Sequence, residues 1–244
     1  MRVALLGYGK MGKTLHKTLE EQGHKIGFIH ETQDGIEVSD PLLSCDVAIE
    51  FTGPENAVQN LIFCAEQGLP VVSGTTGWLD QWSEVETAQR NHQAKILYGS
   101  NFSLGVQLFL EAAKNLAQLM KDRGDFKLHL EETHHLEKKD APSGTAISLF
   151  DALKQGDSSL NQWSLDKDKT PETTVDTTSI RAFREQGAIG NHQAIWDGAI
   201  DYIKLEHHAK SRQGFVQGAI DSAEWLIQQQ KPGLYSVRDV LGLT

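Results

Sequence analysis

The sequence predicts an α/β fold: a parallel sheet with helices on both faces, followed by a second unit of α+β type. Three observations carry this expectation. Short apolar runs alternate with helix-like stretches from Arg2 to Tyr98. A glycine-rich turn, Gly7 to Gly12, joins the first such pair. After Asn101 the alternation stops and strand-like segments follow one another. Strand–helix alternation argues for a parallel sheet, and strands in succession for a mixed or antiparallel one.

The elements are read in order. Arg2 to Leu6 is a short apolar run, as expected of a parallel strand buried on both faces. Lys13 to Gln22 follows as a helix that Gly23 stops. Lys25 to His30 and Asp46 to Thr52 read as strands. Pro54 fits the first turn of the next helix, which Gly68 ends. Pro70 to Ser73 is a fourth strand, Trp78 to Gln93 a helix and Ala94 to Tyr98 a fifth strand. Leu104 to Met120 is a long amphipathic helix, Phe126 to His134 alternates as a strand, and Ala146 to Leu153 is helical. Gln155 to Thr174 is polar and reads as a surface excursion. Three strands then follow, Thr177 to Arg184, Ala188 to Trp196 and Tyr202 to His208, with a closing helix from Gln217 to Gln229. The tail from Tyr235 to Leu241 adds a last turn or strand.

The chain has 244 residues, 39% of them hydrophobic, which suits one large domain or two modest ones. A net charge of −10 offers no basic footprint for nucleic acid or an acidic membrane surface, so neither is expected as a partner. Cys45 and Cys64 lie in apolar surroundings without metal spacing, and read as buried thiols of a reducing compartment. No run is long enough to span a bilayer, and the apolar run at the N-terminus is too short for a signal peptide. The expectation is a cytoplasmic protein.

Gly7-Tyr8-Gly9-Lys10-Met11-Gly12 fits the pattern Gly-x-Gly-x-x-Gly between a strand and a helix. Such a turn lets a pyrophosphate approach the backbone, and the helix N-terminus offers unpaired N–H groups and a partial positive charge. A tight turn is the bland reading of these glycines; the strand-turn-helix setting favours a dinucleotide site of Rossmann type. Glu31, at the end of the second strand, is placed to hold a ribose hydroxyl pair and favours the unphosphorylated cofactor. Lys10 and Lys13 offset that preference in part, so NADH and NADPH both stand. Gly74-Thr75-Thr76-Gly77 follows the fourth strand and Asn101-Phe102-Ser103 the fifth. Open parallel sheets bind ligands at the carboxyl ends of their strands, so Gly74 to Thr76 and Asn101 to Phe102 are further cofactor candidates. Each could equally be an ordinary turn with helix capping.

The densest chemistry lies in Glu132-Thr-His-His-Leu-Glu-Lys-Lys-Asp-Ala-Pro-Ser-Gly-Thr-Ala146. Hydride transfer to an imine or unsaturated ring requires a proton for the neighbouring atom. Histidine titrates near neutrality, and lysine can do so when desolvated or beside other cations. His134 and Lys138 are close enough to serve one centre. His134 and His135 point to opposite sides of an extended strand, so one of them serves chemistry and the other packs or orients a ligand. Ser143-Gly144-Thr145 opens a helix, where a carboxylate gains from free N–H groups and the dipole; the bland reading is that Ser143 or Thr145 caps that helix, and both roles can coexist. The histidine pairs His134-His135 and His207-His208 lack the spacing of a helical zinc site, so no metal is expected. The residues alone leave open another dinucleotide-dependent amino-acid or imine dehydrogenase, or a non-catalytic dinucleotide sensor, though a sensor would have no use for the acid/base block.

This block resembles the signature Glu-x-His-His-x-x-Lys-x-Asp-Ala-Pro-Ser-Gly-Thr-Ala of the 4-hydroxy-tetrahydrodipicolinate reductase family. The likeness extends to the N-terminal glycine loop, Phe51-Thr52 with Pro54, Gly74-Thr75-Thr76-Gly77, Asn101-Phe102-Ser103-x-Gly105, Gly190-x-His192 and the tail from Gly233 to Leu241. The resemblance implies a dinucleotide domain from residues 1–102 plus 217–244, and a substrate-binding and oligomerisation domain from 103–216 that assembles homotetramers. It implies reduction of a small cyclic dicarboxylate by NADH or NADPH on the route to diaminopimelate and lysine. His134 and Lys138 would be the acid/base pair, with Lys138 preferred as proton donor. His135, Ser143, Gly144 and Thr145 would hold substrate. Gly7, Gly9, Lys10, Met11, Gly12, Gly74, Thr75, Thr76, Asn101 and Phe102 would line the cofactor.

Overall fold

A computed structural model describes residues 1–31, 36, 39–166 and 177–243. It divides into two compact units, Met1–Leu104 with Gln213–Thr244, and Gly105–Arg212.

The first unit runs β1 (Arg2–Leu6), α1 (Lys10–Glu21), β2 (Lys25–His30), α2 (Asp40–Leu43), β3 (Val47–Glu50), α3 (Pro54–Glu66), β4 (Val71–Ser73), α4 (Trp82–His92) and β5 (Lys95–Tyr98). After the second unit the chain returns as α7 (Gln213–Gln228), β11 (Gly233–Ser236) and the single turn α8 (Val237–Val240). Six parallel strands form one sheet in the order β11-β5-β4-β3-β1-β2. The continuous apolar runs explain why both of its faces are covered. On β1, Ala4 and Leu6 join a core with α3 and α4 through Ala57, Leu61 and Val85. Val3 and Leu5 point the other way, into a core with α1 and α7 through Leu15, Leu19, Val216 and Ile220. Each such leucine, isoleucine or valine contributes roughly 1.5–3 kcal/mol on burial.

The second unit runs α5 (Leu104–Met120), β6 (Phe126–His134), α6 (Gly144–Gly156), β7 (Gln162–Asp166), β8 (Thr177–Arg184), β9 (Asn191–Gly198) and β10 (Tyr202–His208). Its sheet is mixed, in the order β10-β9-β6-β8-β7. β6 is antiparallel to β9 and parallel to β8. One face carries a core of Phe109, Ala113, Leu130, Leu149, Leu153, Ile180, Ala194 and Trp196.

The α/β architecture with a second α+β sheet is the expected one. β7 differs from the expectation, because it lies within the stretch read as a polar surface excursion. Trp163 and Leu165 alternate there with polar residues, a strand period that the surrounding polarity hides, and they pair with Thr178 and Ile180 of β8. The first residues of that excursion finish α6 and lead into β7, and its last part, residues 167–174, lies outside the described residues. α7 begins at Gln213, ahead of the expected Gln217.

Candidate active site

In the first unit, three turns meet at the carboxyl ends of β1, β3 and β4. Gly7 has φ +96°, and a Cβ there would lie 2.1 Å from the Phe51 carbonyl oxygen. Only glycine fits this turn. Gly74 is pressed against the Phe51 ring, which a Cβ would approach to 2.0 Å. Beyond Gly9, by contrast, a Cβ would meet open space. Gly9 also sits at the α1 N-cap with no side-chain cap, so the first N–H groups of the helix have no side-chain partner there. This is the geometry a pyrophosphate requires. Lys10 is exposed at the start of α1, Met11 packs partly into the core and Gly12 is buried beneath the turn. Glu31 is exposed just past β2.

Of the other cofactor candidates, Thr76 is exposed. Thr75 turns its side chain inward, where the hydroxyl donates to Glu50 at 2.8 Å. Its carbonyl accepts from the Trp78 indole at 2.7 Å. Phe102 is buried against Phe51, ring centroids 5.9 Å apart. Asn101 accepts from the Ser103 N–H at 2.9 Å.

In the second unit, alternation along β6 puts Glu132 and His134 on one face, both buried. β9 pairs Glu132 with His192, also buried. The Glu132 carboxylate accepts the Ser143 N–H at 2.9 Å, and lies 3.7 Å from His134 Nδ1 and 3.9 Å from His192 Nε2. The Ser143 oxygen caps α6 by accepting from the Ala146 N–H at 3.2 Å, and meets His192 Nε2 at 3.1 Å. Both polar groups of Ser143 are thus engaged within the protein. The next residue, Gly144, is the first of α6, where an N–H has no acceptor in its own helix. His135 is half-buried, and its carbonyl accepts the Lys138 N–H at 3.1 Å.

The Lys138 ammonium is held by both oxygens of Asp140, at 2.9 and 2.8 Å. This hydrogen bond keeps the Asp140 carboxyl below the usual carboxylate range. Arg184 fixes the same loop, donating to the carbonyls of Lys138 at 3.1 Å and Asp140 at 2.7 Å. β8 brings it there by pairing His134 with Arg184. Burial holds His134 below the usual histidine range; the Glu132 charge opposes this, while Lys138 and Arg184 add to it. Burial pushes His192 further, down to about 3, with the charges of His134, His207 and Lys138 acting in the same direction. Both imidazoles are therefore neutral at neutral pH, while Lys138 Nζ is turned to the Asp140 carboxylate.

Glu132, His134 and His192 present ligand atoms within 4.8 Å of one another, a donor set that could hold a metal ion. The Glu132 and His192 atoms already face Ser143. Adjacent histidine pairs directed the sequence reading elsewhere.

The depressed His192 has a consequence for stability. An unfolded histidine titrates near ~6.5, so on acidification the proton enters the unfolded chain first. The stabilisation is complete above that value and is lost as pH falls towards about 3. Urea midpoints between pH 7 and pH 4 are expected to fall less steeply for His192→Asn than for the parent chain. Identical slopes would reject this assignment.

Sequence reasoning passed over Glu132, Asp140, Arg184 and His192 as site residues. The two-residue spacing of Glu132 and His134 was a usable signal. Nothing local pointed to Arg184, 46 residues from Lys138 in the chain.

Comparison with known proteins bears on the whole chain. Residues 1–102 match the family model described as dihydrodipicolinate reductase, N-terminus, and residues 105–241 its C-terminus. The 4-hydroxy-tetrahydrodipicolinate reductase of Christiangramia forsetii is 41% identical over 242 residues, covering 99% of this chain and 98% of the relative. That of Thiobacillus denitrificans is 32% identical over 268 residues, covering 100% and 99%. Among solved structures, a dipicolinate-bound dihydrodipicolinate reductase from Paenisporosarcina sp. TG-14 superposes with a TM-score of 0.75 over 97% of each chain, at 22% identity, a likeness of fold.

Proposed function

The chain belongs to the dihydrodipicolinate reductase family, and from that premise we propose how its residues divide the work. It is an oxidoreductase of diaminopimelate and lysine biosynthesis, carrying out the reduction of 4-hydroxy-tetrahydrodipicolinate. Its N-terminal part is a dinucleotide-binding domain. When bound, the reduced dinucleotide supplies the hydride. The chain supplies binding, orientation and a proton.

Lys138 delivers the proton from Nζ. Its partner Asp140 is largely exposed, and such a pair is worth only about 0–1 kcal/mol, so a substrate carboxylate can displace it. His134, kept neutral by burial, serves as the second member of the acid/base pair. Gly144 and Thr145, with Ser143 as cap, place the α6 N-terminus against a substrate carboxylate, and His135 orients the ring. Arg184 is a positioning residue, anchoring the Lys138 loop through two carbonyls. The observation that carries this reading is the buried Glu132–His134–His192–Ser143 cluster beside the Lys138–Asp140 pair.

Residues 1–102 plus 217–244 form the dinucleotide domain, with Gly7, Gly9, Lys10, Met11 and Gly12 at the pyrophosphate. The turns carrying Gly74, Thr75, Thr76, Asn101 and Phe102 shape its other end. Glu31 favours NADH over NADPH. Residues 103–216 bind substrate and assemble a homotetramer. Tyr202 and Ile203, exposed on the edge strand β10, support association. The cytoplasmic reading draws support from two buried free thiols, and no helix among the described residues is long and apolar enough to cross a membrane.

The test is a coupled assay in which the upstream synthase generates the substrate and oxidation of NADH and of NADPH is followed separately. Turnover with both, at higher kcat/KM for NADH, is expected. No oxidation dependent on the synthase product would overturn the proposed substrate. A clear preference for NADPH would overturn the role of Glu31.

A further inference from the structure

β3 ends in a carboxylate that solvent does not reach. Glu50 is fully buried, paired with Leu6 of β1 on one side and Ser73 of β4 on the other. A buried carboxylate is expensive to keep charged unless hydrogen bonds replace its water. Here one oxygen accepts from the Ser73 hydroxyl at 2.5 Å. The other accepts from the Thr75 hydroxyl at 2.8 Å, the Thr52 N–H at 2.9 Å and the Thr52 hydroxyl. All four groups can donate, so both oxygens of the carboxylate are engaged within the protein. Thr75 Oγ1 in turn accepts from the Thr52 N–H at 2.9 Å, and Thr52 Oγ1 from the Asn60 amide at 3.3 Å.

These donors come from the end of β4 and from the turns after β3 and β4. The same turns carry Phe51, whose ring leaves no room for a side chain at Gly74 and whose carbonyl leaves none at Gly7. One carboxylate therefore sets the register of the turns that follow β3 and β4, and Phe51 passes that register to the glycine turn after β1. A core residue needed only for packing would have been apolar, because a half-satisfied polar network is worse than none.

We propose that Glu50 is a positioning residue for dinucleotide binding. Its carboxylate holds Thr52 and the Gly74–Thr76 turn in the shape that receives the cofactor, and it uses the inward hydroxyl of Thr75, so that this residue can offer the ligand only its backbone. The inference rests on the proposed cofactor site.

Glu50→Gln replaces an acceptor by an amide that cannot accept from all four donors. Removing one charged partner of this network is expected to raise the NADH Kd by about tenfold or more. The value of kcat at saturating dinucleotide should stay within about threefold of the parent, since Lys138 and His134 are untouched. Thr75→Val and Ser73→Ala each remove one arm and should raise Kd by a smaller factor. The double variant Glu50→Gln, Thr75→Val should be no weaker than Glu50→Gln alone, because the two act through one network. Kd is read by titration of NADH fluorescence, with circular dichroism as the check on folding. A folded Glu50→Gln chain with unchanged Kd overturns the proposal. If that variant does not fold, unchanged Kd in both Ser73→Ala and Thr75→Val overturns it, and raised Kd in both supports it. A parent chain that binds no dinucleotide overturns the cofactor site itself.

Discussion

Lys138→Ala lowers kcat by roughly 10²- to 10⁴-fold, the range a positioned general acid supplies, while the Kd for NADH stays at the parent value. Of the two candidate donors, His134 is held neutral by burial, so at neutral pH it has no proton to give without first acquiring one. Lys138 carries its ammonium at the mouth of the same cluster, restrained by Asp140 at 2.8 Å and by an Arg184 anchor on its backbone carbonyl. Alanine removes the ammonium and leaves the loop, because the Arg184 bonds run to main-chain oxygens that the substitution does not alter. The loss should therefore appear in kcat and kcat/KM for the substrate. Steady-state rates with purified Lys138→Ala, beside direct titration of NADH, check this. Turnover within threefold of the parent would transfer the proton to another group.

Gly7→Ala is the second large effect, and it acts on the fold before it acts on the ligand. A side chain at φ +96° is strained by about 1–3 kcal/mol. The new Cβ would also sit 2.1 Å from the Phe51 oxygen, a backbone atom held within the sheet ends. Overpacking of this kind costs about 1–3 kcal/mol more. Together these come to roughly 2–6 kcal/mol, a large part of the ~5–15 kcal/mol that holds a typical domain. Urea denaturation should show a strongly lowered midpoint for the first unit. Gly9→Ala is the contrast, since the space beyond Gly9 is open and its stability should change by under about 1 kcal/mol. Yet Gly9→Ala should weaken dinucleotide binding, because the space it fills is the one proposed for the pyrophosphate. Unchanged NADH affinity in Gly9→Ala would move the pyrophosphate away from this turn.

The parallel sheet was legible because buried parallel strands write themselves as unbroken apolar runs, as in Val3 to Leu6 and Val47 to Ile49. The residues of the candidate acid/base block could be picked out together because they are close in the chain. What escaped was set by tertiary register. Arg184 reaches the Lys138 loop only because β8 lies parallel to β6 with His134 opposite it. His192 reaches Ser143 only through the antiparallel pairing of β9. Glu50 ends a strand in a position where a sequence reads an ordinary boundary charge; the hydroxyls of Ser73 and Thr75 that allow its burial lie 23 and 25 residues on in the chain. β7 was hidden by composition, since Trp163 and Leu165 are outnumbered by their polar neighbours.

The return of the chain to its first unit has a consequence for synthesis. Val3, Leu5, Val47, Ile49, Val72 and Leu97 form a sheet face that α1 covers in part through Leu15 and Leu19, and that α7 completes with Val216, Ala219, Ile220, Ala223 and Leu226. On the ribosome that face is complete before Gly105–Arg212 is translated, and at ~5–20 residues per second it waits roughly 5–20 s for its helix. The intervening unit carries its own core and can close as soon as it emerges. The part of the chain made first thus waits for the part made last, and the nascent protein shows an incompletely covered apolar sheet face for as long as the gap takes to translate.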